Sequence, residues 1–257
     1  MGRDWRRFDV VLVMAMLASL FAWTALALDG GGLMLPAFCS TGAPWAVPLS
    51  AWLQLAFASV SLSNLAFGAA LMLAAMMSPF VIEPVRYVRD RSFARRRGCA
   101  MILFVAGYAT VWMMTAVALQ ALALVVIWAI PAPLVRVGVA SALCVAWQFS
   151  PAKQWFLNRC HRRAHLSAFG IAAERDAFAF GLSNGASCVG TCWALMLLQL
   201  VVGNGHIFLT IAVMLFAFAE RLERPAPLAW RCRGPGKAVR IGHAILRAGL
   251  ARVRGRT

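Results

Sequence analysis

AFAFGLSNGASCVGTCWALMLLQLVV, residues 177–202, is a run of 26 residues without a single Asp, Glu, Lys or Arg. A helix rises about 1.5 Å per residue, so this run is long enough to cross a hydrocarbon core of roughly 30 Å. Similar runs recur at 8–28, at 61–82, and from 99 to an end between 119 and 130; shorter ones lie at 134–149 and 207–220. Together they predict an all-α membrane protein, a bundle of about six transmembrane helices. Barrel strands need only about 10 residues each, and a lipid-exposed backbone must satisfy its hydrogen bonds within its own segment. The composition agrees: 62% of the 257 residues are hydrophobic and 13% charged, far from the balance of a soluble enzyme.

The charges test this reading. With six spans, alternate loops share a side, and 24 of the 25 Lys and Arg then fall on one side, with only Arg136 left over. The positive-inside rule makes that side cytoplasmic, so both termini are expected inside and the loop from about 29 to 50 outside. The net charge of +16 is therefore topological, and no nucleic-acid partner is expected. The first apolar run, about 21 residues, exceeds the core of a secretory signal, so an uncleaved first helix is expected. Three regions follow: 1–50, the first helix and external loop; 51–220, a five-helix membrane core; and 221–257, a basic cytoplasmic tail. In that tail, 239–254 can be read as a short interfacial helix or as a disordered basic segment.

Seven cysteines are scattered along the chain, with Cys39 outside and Cys160 and Cys232 inside, which is no disulfide framework. Cys188 and Cys192 are four apart and share a helix face, which Met196 extends by one turn. Met72, Met76 and Met77, in the second span, are placed at a similar depth. Thiolate and thioether are soft ligands suited to copper(I), or with more thiolate to zinc or an iron–sulfur cluster. His206, in an external turn, is a further candidate. Met113, Met114 and Met214 are also within reach of a Cys/Met layer. Gly181, Asn184, Gly185, Ser187 and Gly190 let a second helix or an ion approach the backbone. Glu83 and Glu220 mark cytoplasmic span ends and are expected to pair with Arg86, Arg221 or Arg224. No charged pair is expected at mid-membrane, which argues against a proton-coupled pump. No catalytic motif is found, so an enzyme is not expected.

The ordered motifs Ala75-Met76-Met77-Ser78-Pro79, Gly107-Tyr108 with Trp112, Trp147-Gln148-Phe149-Ser150-Pro151-Ala152-Lys153, and Cys188-Val189-Gly190-Thr191-Cys192-Trp193-Ala194-Leu195-Met196, ending at Glu220, carry a resemblance. Over about 55–225 the chain resembles a bacterial family of predicted metal-binding integral membrane proteins, defined by a domain of unknown function. The resemblance implies a multi-helix inner-membrane protein with a transition-metal role, plausibly copper handling. Phe156 and Thr191 stand where that family usually carries cysteine, which implies a thinner site or a different metal preference. The expected function is binding of a soft metal, copper favoured, for delivery to or receipt from a partner protein. The alternatives are a metal permease and a non-metal accessory subunit.

Overall fold

The computed structural model describes residues 9–28, 48–59, 62–167, 169–202 and 206–231, with single positions beyond. All regular structure among them is helical: α1 Val10–Leu28, α2 Leu49–Ser59, α3 Leu62–Arg91, α4 Arg97–Ala129, α5 Pro133–Phe149, α6 Pro151–Cys160, α7 Gly170–Val202 and α8 His206–Arg221. The external loop, Cys39 and most of the 239–254 stripe lie outside the described residues. α1, α3, α4 and α7 are long and apolar enough to cross a membrane, and α5 with α6 makes a fifth candidate if the bent pair is counted as one span. α8 has 16 residues, about 24 Å, and falls short of a hydrocarbon core by itself. Outward side chains on these helices are large and apolar, among them Phe21, Ile102, Met114 and Phe208.

α4 and α7 form the most intimate pair, and their glycines are the reason. A Cβ built at Gly107 would collide with the carbonyl of Phe178, and one at Gly181 with the carbonyl of Phe104. Backbone therefore lies on backbone where the two helices cross, the small-residue packing that holds helices together when no hydrophobic drive is available in lipid. Both helices have 33 residues, about 50 Å, so they extend well past a bilayer core.

α3 continues as one helix through Pro79 and Pro84 to Arg91, nine residues past the predicted end of its span. Pro79 has no N–H, so the carbonyl of Ala75 loses its helical partner. Ser19 of α1 supplies the replacement, its hydroxyl donating to that carbonyl at 2.7 Å. The start of α1 is tied to the far end of α3 by Asp9, which pairs with Arg86 and with Arg89 at 3.0 Å. Partial burial raises the Asp9 carboxyl pKa, but the two guanidinium groups outweigh it and hold the group below its ordinary value.

The sequence reading of a simple span at 134–149 missed a break. Ser150 is held extended ahead of Pro151, and its side chain caps α6 by accepting from the Lys153 backbone N–H at 3.2 Å. The chain turns by 63° there. The first residues after α8 fold back on α6, where Asn158 donates to the carbonyl of Ala226 at 2.8 Å and accepts from its N–H at 3.1 Å.

Candidate metal site

Mid-way along α7, Cys188 and Cys192 face the core, both almost wholly buried. The two thiols are in hydrogen-bonding contact, as the i, i+4 spacing allows. From α3, Met77 brings its Sδ to 3.9 Å from Cys188 Sγ. Met76 and Met196 are buried in the same cluster, and Met72 packs against it. The structure thus gathers six of the seven sequence-predicted residues into one sulfur-rich core. His206 begins α8, but its side chain lies outside the described residues.

Two polar groups that the sequence reading named without a role at the sulfur converge on it. Tyr108 of α4 donates its hydroxyl to Cys188 Sγ at 3.2 Å. Arg221, the last residue of α8, reaches it at 3.8 Å through one nitrogen and donates to Asn184 Oδ1 at 3.4 Å through the other. Its guanidinium also stands over the Phe80 ring, 5.5 Å from the centroid. Among the described residues no carboxylate pairs with Arg221, so this cation faces neutral dipoles, an aromatic face and a thiol. Such a site favours an anion, and a thiolate answers it. Thr191 Oγ1 lies 3.3 Å from Cys192 Sγ and completes the polar edge.

The expected partners of Glu220 were wrong. It pairs with Lys153 at 2.6 Å and accepts from Gln148 Nε2 at 3.2 Å, while Lys153 also donates to Gln148 Oε1. Lys153 is completely buried and Glu220 nearly so. A buried charged pair therefore lies between the end of α8 and the start of α6. It is created by the break at Ser150, which turns Lys153 inward. Glu83 does lie near Arg86, at 4.0 Å, and nearer to Arg163, at 3.6 Å. Phe156, at the position where the resemblance leads one to expect a cysteine, lays its ring on Gly190 so closely that a Cβ there would overlap it. Trp147 fixes the same turn of α7 by donating from Nε1 to the Gly190 carbonyl at 3.0 Å.

Among the described residues no group of three or more His, Cys, Asp or Glu side chains is placed to hold a metal. That donor set suits neither a four-coordinate zinc site nor a hard cation. Two thiols and a thioether, closed off from solvent, instead fit a soft monovalent ion of low coordination number.

These features describe a helical protein with a buried cluster of thiols and thioethers. The chain belongs to the copper chaperone family described as PpoB2, whose family model matches residues 67–241, about two thirds of its length. The matched stretch starts in α3 and contains every residue of the sulfur cluster. Searches among curated proteins and among solved structures find no match.

Proposed function

We propose that the protein is a multi-pass inner-membrane copper chaperone that holds copper(I) between the Cys188 and Cys192 thiolates and the Met77 thioether. It passes the ion to or from a partner protein and turns over no reaction. The observation that carries this reading is the convergence of three sulfurs from α3 and α7 beside the Arg221 guanidinium. Charge arithmetic supports the valence. Two thiolates and one copper(I) leave a net charge of −1, which Arg221 neutralises; a divalent ion in the same place would leave +1, and uncompensated charge in an apolar bundle is expensive. Met196, Met76 and Met72 are close enough in the cluster to serve as secondary thioether ligands.

The proposed topology keeps both termini in the cytoplasm. It is supported by the side-to-side count of basic residues and by Asp9, which puts the start of α1 and the end of α3 at one end of the bundle. The lipid bilayer is then the protein's medium, and the ends where α3 starts and α4 and α7 finish face outward.

Elemental mass spectrometry on the detergent-purified protein, after growth with copper, zinc and iron, tests the reading. Near-stoichiometric copper is expected in the wild type, and none in Cys188→Ser/Cys192→Ser. Copper retained by the double variant, or wild-type protein that takes up no copper on anaerobic reconstitution with copper(I), would refute it.

A further inference from the structure

Between α3, α4 and α7, on the side where α3 begins, lies a cavity of about 320 Å³. Six methionines line it: Met72, Met76, Met77, Met113, Met114 and Met196. The whole chain has 12, so half of its methionines meet at one hollow. Packing alone does not call for this, because leucine fills such a wall with fewer rotamers to freeze. Trp112 stands in the same wall, 6% exposed, and its indole N–H has no partner among the described residues.

The deep end of the cavity is also the edge of the sulfur cluster. Met77 lines the hollow and at the same time touches Cys188, with 3.9 Å between the sulfurs. Met114, midway along α4, is 71% exposed at the cavity's margin, so the thioethers extend from the outer face of the helices to the buried thiols.

We propose that this cavity is a second copper(I) site, built from thioethers alone, which the ion occupies on its way to the thiolates. The inference rests on the reading of Cys188 and Cys192 as copper ligands. Thioethers are soft and neutral, so they match the ion's polarisability without cancelling its charge. The indole face of Trp112 adds a modest attraction to a cation. A cation held only by neutral groups in an apolar wall is held loosely, and the next station inward supplies two anionic sulfurs. The gradient from neutral to anionic ligands therefore drives the ion from the cavity's thioethers towards Cys188 by ligand exchange, with the metal monovalent throughout. The wall holds one amide, that of Gln120, and no carboxylate or imidazole, so hard and divalent cations are poorly held there.

The test is an anaerobic titration of the full-length protein in nanodiscs with copper(I), in competition with a chromophoric copper(I) chelator. Wild-type protein is expected to bind a tight and a weak equivalent. Met113→Leu/Met114→Leu, which preserves volume, is expected to lose the weak one and keep the tight one. Cys188→Ser/Cys192→Ser is expected to do the reverse. Met114→Leu alone, at an exposed side chain that cannot threaten the fold, is expected to weaken the second equivalent severalfold. A double leucine variant that keeps both equivalents at unchanged affinity would overturn the proposal, as would wild-type protein with only one. The reading of the thiols fails separately, by survival of the tight equivalent in the cysteine double variant.

Discussion

Arg221→Met removes the guanidinium that touches Cys188 while keeping a long apolar side chain in its place. With the guanidinium nitrogen 3.8 Å from Cys188 Sγ and an effective permittivity of about 20, the attraction to a thiolate is about 4 kcal/mol. Part of this is offset, because the variant no longer has to bury a guanidinium. A net loss of about 2 kcal/mol, roughly a 30-fold weaker copper(I) affinity, is the expected outcome. The sign reverses for a divalent ion. Two thiolates and zinc(II) are neutral without Arg221, so the same substitution should strengthen zinc(II) binding. Arg221→Lys keeps the charge but cannot reach Cys188 and Asn184 together, and should fall between wild type and the methionine variant for both ions. Competition titrations with chromophoric probes for each metal, on protein whose melting curve is checked without metal, read both affinities. Unchanged copper(I) affinity in Arg221→Met, or a parallel loss for both ions, would refute the counter-charge argument.

Other expectations concern the frame around the site. Gly107→Ala should destabilise the bundle by about 2 kcal/mol or more in detergent melts, because the added methyl meets the Phe178 carbonyl and the helices must part. Lys153→Met leaves the buried Glu220 without its ammonium and should cost about 3–5 kcal/mol, whereas Lys153→Met/Glu220→Leu should recover most of that loss; a double variant as unstable as the single one would contradict the pairing. Ser19→Ala should cost about 1 kcal/mol through the lost bond to Ala75. The Asp9 carboxyl has a folded pKa below its ordinary value of 3.8, so its stabilising effect is complete above about pH 4 and disappears as acid drives the pH down through the folded value. Melting temperatures of wild type and Asp9→Asn should accordingly differ at pH 6 and converge at the acid end.

The long helices were legible because length and absence of charge are local properties. Residues 177–202 read as a helix at once, and the structure only lengthens it backwards to Gly170. The i, i+4 spacing likewise placed Cys188 and Cys192 on one face, and Gly181 announced a close approach. What stayed hidden depends on which helix meets which. Tyr108 was visible in a motif, but its partner is 80 residues away. Arg221 was read as a cytoplasmic charge and a partner for Glu220, since nothing in a basic segment distinguishes the arginine that turns back into the bundle. The break at Ser150 and Pro151 was written in the sequence, as a small capping residue before proline, yet the surrounding apolar run masked it. Lys153 then passed for a loop charge when it is the most deeply buried ion among the described residues.

Ser19 touches no sulfur, yet it answers a carbonyl one residue before Met76. A shortened chain that started at α3 would carry an unanswered acceptor into lipid at that point, and the helix would have to twist or take up water to quiet it. Metal lost from such a truncation would then report on main-chain geometry around the methionines, and it would be a mistake to count α1 among the ligand-bearing helices on that result.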